Sequence, residues 1–136
     1  MAANTPPPIL QALLLCDTTI REAGTNKLSF IGIFNDIVSH QFPTVHPAFS
    51  VCVILSDGHG NIKCRLRMLC MENNKELFTL QQDFQFNDPR ENSELIFQIK
   101  QLPIPTPGTY CIEFFAGQEL LGSRKLRVNQ AKQGNA

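Results

Sequence analysis

Hydrophobic and polar positions alternate along much of this chain with a period of two. The clearest stretch is Ile62 to Cys70, where Ile62, Cys64, Leu66, Met68 and Cys70 alternate with Lys63, Arg65 and Arg67. Successive side chains of a strand point to opposite faces, so the first set meets a core and the basic set meets water. Leu77 to Phe86 repeats the pattern, with Phe78, Leu80, Phe84 and Phe86 on one face and Gln82 interrupting it. Leu95, Phe97 and Ile99 form one face of the next strand, opposite Gln98 and Lys100. Thr109 to Phe115 and Leu120 to Val128 make a closing hairpin across Ala116-Gly117-Gln118.

Earlier in the chain the runs are shorter. Leu10 to Cys16 is stopped by Asp17, and Lys27 to Phe34 follows the turn cluster Ala23-Gly24-Thr25-Asn26. A brief run, Asp36 to His40, precedes Phe49 to Leu55, which is bounded by Pro47 and by Ser56-Asp57-Gly58-His59-Gly60. That last segment reads as a hairpin loop, because aspartate and glycine tolerate left-handed backbone angles. Glu72 to Lys75 and Asn87 to Asn92 are further turns, and Leu102 to Gly108, with three prolines, is an extended connector. The best helix candidate, Ile9 to Ile20, has consecutive leucines and the β-branched Thr18-Thr19-Ile20, which favour a strand.

Eight or nine short strands without a helix predict an all-β fold, a single immunoglobulin-like antiparallel β-sandwich. Residues 1–8, with three consecutive prolines, are expected to be a flexible lead-in; residues 9–128 form the sandwich and residues 129–136 a polar tail. The 136-residue length fits one domain with a real core. Lysine plus arginine balances aspartate plus glutamate at 12 each, so no net field draws the protein to nucleic acid or to an anionic membrane. No run approaches the ~18–20 apolar residues that span a bilayer, and the first residues lack the basic start and apolar stretch of a signal peptide. Five cysteines, an odd number without a C-x-x-C pair, fit a reducing compartment, so the expected location is cytoplasmic.

The order Leu14-Leu15-Cys16-Asp17, then Lys27-Leu28-Ser29-Phe30-Ile31-Gly32-Ile33-Phe34, then Phe42-Pro43, with a closing Pro107-Gly108-Thr109-Tyr110, resembles a family of small bacterial and phage-associated domains of unknown function, the DUF6941 type. The resemblance covers about Leu13 to Val128. It implies a β-sandwich and no activity, so it carries over no catalytic residues. Tyr110 stands where a tyrosine corner forms in such sandwiches. The chain has no tryptophan, and Ile112 stands where an antibody-type domain carries its second cysteine.

No residue set reads as catalytic. Cys64 and Cys70 belong to the core face. Cys111 shares parity with Glu113 and Phe115 and is expected to face outward, where Glu113 raises its pKa. His40, His46, Asp57 and His59 are the loop residues able to ligate metal; His46, Asp57 and His59 are the candidates, but their spacing matches no zinc signature, and no cofactor is expected. The stripe Lys63, Arg65, Arg67 is too narrow for a nucleic-acid surface, and Pro103, Pro105 and Pro107 do not match P-x-x-P.

The informative feature is a pair of strands that are apolar on both faces. Leu28, Phe30 and Phe34 are backed by Ile31 and Ile33, while Val51, Val53 and Leu55 are backed by Cys52 and Ile54. One face of an antiparallel sandwich sheet normally meets water, so the outer face wants cover. Either the Asp36 to Pro47 segment or the N-terminal strand lies across it, or Ile31, Ile33, Cys52 and Ile54 form an interface with a protein partner or a homo-oligomer. The function expected is therefore a non-catalytic protein-interaction or structural module. A small-molecule or metal-binding domain using His46, Asp57 and His59 is the alternative. An enzyme, requiring Cys111, Glu113 or the histidines to cluster, stands third.

Overall fold

The computed structural model describes residues 6–132. The lead-in residues 1–5 and the tail residues 133–136 lie outside the described residues. Nine strands follow in chain order: β1 (Ile9–Arg21), β2 (Leu28–Ile33), β3 (Asp36–Ser39), β4 (Thr44–Ser56), β5 (Gly60–Cys70), β6 (Glu76–Phe86), β7 (Ser93–Ile104), β8 (Gly108–Ala116) and β9 (Glu119–Gln130). They form a four-stranded sheet, β2-β1-β4-β7, and a five-stranded sheet, β3-β9-β8-β5-β6. The fold is an all-β sandwich of nine strands.

Period-two patterning sets the inner faces. Val51, Val53 and Leu55 of β4 and Leu66, Met68, Ile112 and Phe114 of β5 and β8 are wholly buried. Phe97 of β7 and Phe114 of β8 meet across the sheets with ring centroids 6.3 Å apart. Outward from the same strands, Arg67 Nε donates to Glu113 Oε1 at 2.9 Å and the Arg65 guanidinium lies 4.1 Å from the centre of the Phe115 ring. The stripe Lys63, Arg65, Arg67 is thus partly engaged by its neighbours on β8. The buried Tyr110 donates its hydroxyl hydrogen to the Thr106 carbonyl at 2.7 Å, a tyrosine corner that ties the connector between β7 and β8 to the core.

Several elements depart from expectation. β1 does not stop at Asp17 but runs to Arg21, paired with β2 as far as Arg21↔Leu28. Gly32 lies between the paired residues Ile31 and Ile33 with φ +73°, and a side chain there would strike the Asp17 carboxylate, whose carbon would lie 2.9 Å from a Cβ. A glycine is what lets the ladder continue. β7 extends through Pro103 to Ile104, so the connector is shorter than expected. Proline is tolerated because β7 is an edge strand, where a missing N–H breaks no ladder bond on the outer side. β4 likewise starts at Thr44 and contains Pro47. The sandwich is not wholly antiparallel, since β3 pairs β9 in parallel, from Asp36↔Arg127 to Ser39↔Gln130. The chain changes sheets between β2 and β3, and that crossing delivers β3 in the direction of β9. β9 itself runs to Gln130, slightly beyond the expected end of the domain.

With five strands facing four, the edge strand β6 is incompletely covered. Leu80 pairs with the wholly buried Leu66 yet keeps 37% of its surface exposed.

Candidate interaction surface

β1 leaves the four-stranded sheet half-way along its length. Its pairing with β4 ends at Cys16↔Ser50, and only β2 accompanies it from there to Arg21. Ala12, Ile54 and Glu94 occupy one row across β1, β4 and β7. A straight strand would carry Arg21 roughly 30 Å beyond that row. Arg21 Nη2 instead donates to Glu94 Oε1 at 2.9 Å. The β1–β2 hairpin therefore crosses over the outer face of the sheet toward β7. Asp17 and Thr18 line a small cleft against Ala48, Ser50, Gln98 and Lys100 on the way.

The far half of the N-terminal strand, then, covers part of the outer face of β4, while β2, the other two-sided apolar strand, stays exposed. The Asp36 to Pro47 segment does not, because it supplies β3 to the other sheet and then opens β4. Cys16 and Cys52 are wholly buried, with their sulfurs 3.5 Å apart. Of the four interface candidates, Cys52 offers no surface to a partner and Ile54 is half-buried, whereas Ile31 and Ile33 remain 44% and 51% exposed. Ile20 joins them at 51%. Sequence patterning did not place Ile20 among the interface residues because the apolar run was expected to stop at Asp17, although the β-branched Thr18-Thr19-Ile20 already favoured a strand as far as Ile20.

Ile20, Ile31 and Ile33 all belong to the part of the hairpin that runs beyond β4 and ends in the edge strand β2. An unprotected edge presents a row of free backbone donors and acceptors, and proteins normally blunt it with charge, proline or shortness. Three edges here are blunted. β3 has four residues, β7 carries Lys100 and Pro103, and β6 carries Gln81-Gln82-Asp83. β2, with the sequence Leu-Ser-Phe-Ile-Gly-Ile, has no charge and no proline.

A family model described as a family of unknown function (DUF6941) matches residues 11–129. The chain belongs to this family. The DUF6941 chain is also similar to a solved structure, an immunoglobulin-like protein from Pseudomonas aeruginosa, at 10% sequence identity and a TM-score of 0.45 over 93% of this chain and 99% of that one. A search of curated proteins gives no match.

The remaining candidates of the DUF6941 chain do not converge. His46 lies near the start of β4, and Asp57 and His59 follow its end, a separation of roughly 35 Å along an extended strand. No group of three or more metal-ligating side chains occurs among the described residues. The His46 ring packs between Phe34 and Phe49, at centroid distances of 6.1 Å and 5.5 Å. Asp57 accepts a hydrogen bond from Ser56 Oγ at 3.0 Å.

Burial holds the His46 pKa below its ordinary value of 6.5, with Asp17 opposing it in part. The unfolded chain then binds a proton at a pH where the folded chain does not, so this group makes stability fall as pH drops from 6.5 toward the lowered folded value. His46→Phe, which keeps the aromatic stack, is expected to flatten that part of the stability–pH curve in urea titrations between pH 7.5 and 5.5; an unchanged slope would contradict this account.

The thiols are placed for packing, not for nucleophilic attack. Burial, with a hydrogen bond shared with Cys16, pushes Cys52 up to about 12, and burial with the nearby Asp83 pushes Cys64 up to about 11. Cys111 does sit on the outward side of β8 beside Glu113, as its parity predicted, but it is only 8% exposed. Burial is the leading cause of its raised pKa; Glu113 adds to that, and a hydrogen bond with Ser123 opposes it. A nucleophilic cysteine needs the opposite shift.

Proposed function

We propose that this chain is a non-catalytic protein-interaction module whose docking surface is the β1–β2 hairpin. The observation that carries this reading is the unblunted β2 edge beside Ile20, Ile31 and Ile33, exposed at 51%, 44% and 51%. Free edges of this kind are templates for another strand, and large apolar side chains beside them give the contact area that backbone pairing lacks. The five free, buried thiols support a reducing, cytoplasmic setting for it.

The test compares the tagged chain with Ile33→Glu, both purified from the same lysate under reducing conditions and weighed by native mass spectrometry. Ile33 is half exposed, so the change leaves the core intact. The unaltered chain is expected to carry additional polypeptide mass and the variant to be bare. Bare monomers in both samples would refute the reading.

A further inference from the structure

The geometry points to a second site, one for a small phosphate monoester, where β5 passes the tip of the β8–β9 hairpin on the five-stranded sheet, with Arg65 as its anchor. The site is on the opposite sheet from the β2 edge and goes beyond the interaction reading.

A hollow of about 520 Å³ is lined there by Lys63, Arg65, Gln81, Gly117 and Gln118. This lining holds two cations and two side-chain amides and no carboxylate. Arg65 stands opposite Gln81 in the β5–β6 ladder, and Gly117 N donates to the Lys63 carbonyl at 2.8 Å, which fixes the hairpin tip beside the cations. Arg67, next along the stripe, is held by Glu113. Lys63 and Arg65 take part in none of the ion pairs among the described residues. Asp83 stands opposite Lys63 in the ladder but forms no ion pair with it and does not line the hollow.

Arg65 is the decisive residue. It is half-buried, and its guanidinium lies 4.1 Å from the centre of the Phe115 ring. The stack occupies a face of the planar fork and leaves the N–H donors at its edge. A guanidinium held in this way has already lost rotamer freedom, so less entropy is lost when it grips an oxyanion through two parallel bonds.

Charge and size set the class of ligand. A carboxylate balances one cation. A phosphate monoester carries close to two negative charges at neutral pH and several acceptor oxygens, which matches Arg65 with Lys63 and leaves an oxygen for an amide of Gln81 or Gln118. A second hollow of about 530 Å³ adjoins the first across Lys63, Gly117 and Gln118. Pro6, Pro7, Pro8 and Ile62 give it an apolar wall, and Asn61, His59 and Glu119 are among its polar groups. Each hollow has the volume of a small-molecule site. The phosphate therefore sits on Arg65, and the organic body of the ligand lies past the hairpin tip against the prolines.

The test is a titration of the isotopically labelled protein with adenosine monophosphate, inorganic phosphate and adenosine, followed by amide and arginine side-chain resonances. Adenosine monophosphate is expected to give saturable shifts at Arg65, Gly117 and Gln118 and also at Asn61 and Ile62. Inorganic phosphate is expected to bind more weakly and to move only the first group. Arg65→Gln is expected to weaken binding at least about tenfold, and Arg65→Lys, which keeps the charge without the planar fork, several-fold. Circular dichroism of each variant confirms folding, and the shifts in the unaltered chain locate the site without any substitution. Shifts spread equally over Lys125 and Arg127, or none with any probe up to about 10 mM, overturn the site. Arg65→Lys binding as tightly as the unaltered chain overturns the stacked arginine as its anchor. Adenosine binding as tightly as its monophosphate overturns the phosphate as the recognised group.

Discussion

Phe114→Ala is expected to lower the stability of the domain by about 3–5 kcal/mol. Phe114 is wholly buried at the middle of β8, between β5 and β9, and its ring faces Phe97 from the opposite sheet. Truncation removes the apolar area of a whole ring and leaves a cavity between two sheets whose backbones are pinned by hydrogen-bonded ladders on both sides. Such a site collapses poorly, so the upper part of the range applies. Domains of this size are stable by about 5–15 kcal/mol in total, so a large share of the folding free energy goes with one ring. The melting temperature is expected to fall by on the order of 10–20 °C, read by calorimetry and by urea titration with an unchanged m-value. A loss under 1 kcal/mol would mean that the two sheets do not meet at Phe114.

Tyr110→Phe is expected to cost about 1–3 kcal/mol, although it removes a single oxygen. The hydroxyl donates to the Thr106 carbonyl at 2.7 Å and lies 3.5 Å from Thr106 Oγ1. The variant keeps the buried ring and removes the bond to Thr106, so the loss reflects the missing hydrogen bond and not lost packing. Hydrogen exchange separates this from the effect at Phe114. Amides of the Pro105 to Gly108 connector and the start of β8 are expected to lose protection first, while the centre of β5 follows global unfolding. Uniform loss of protection over the whole chain would contradict a corner that acts locally.

The inner faces of the strands were legible because a strand reveals its sides through parity alone. Lys63, Arg65 and Arg67 could not share a core with Cys64, Leu66 and Met68 in any extended arrangement. The tyrosine corner was legible for a similar reason, since the hydroxyl bonds only four residues upstream. The exposed Ile31 and Ile33 were also found by patterning, as members of a strand apolar on both sides. Patterning could not separate them from Cys52 and Ile54, because all four have the same local signature of an apolar residue on a face that ought to meet water.

That separation belongs to the tertiary structure. Arg21 and Glu94 are far apart in sequence, and their ion pair records a hairpin that turns out of its own sheet and buries Cys16 and Cys52 while leaving Ile20, Ile31 and Ile33 outside. The parallel pairing of β3 with β9, the five strands opposite four, and the distance between His46 and His59 have the same character. By itself the sequence determined the strands, their inner faces and the all-β class, since these follow from neighbours a few residues apart. Which strands became edges, what lay across the outer face, and therefore which apolar residues were left for a partner were decided only when distant strands met, because pairing and coverage are properties of residues brought together in space.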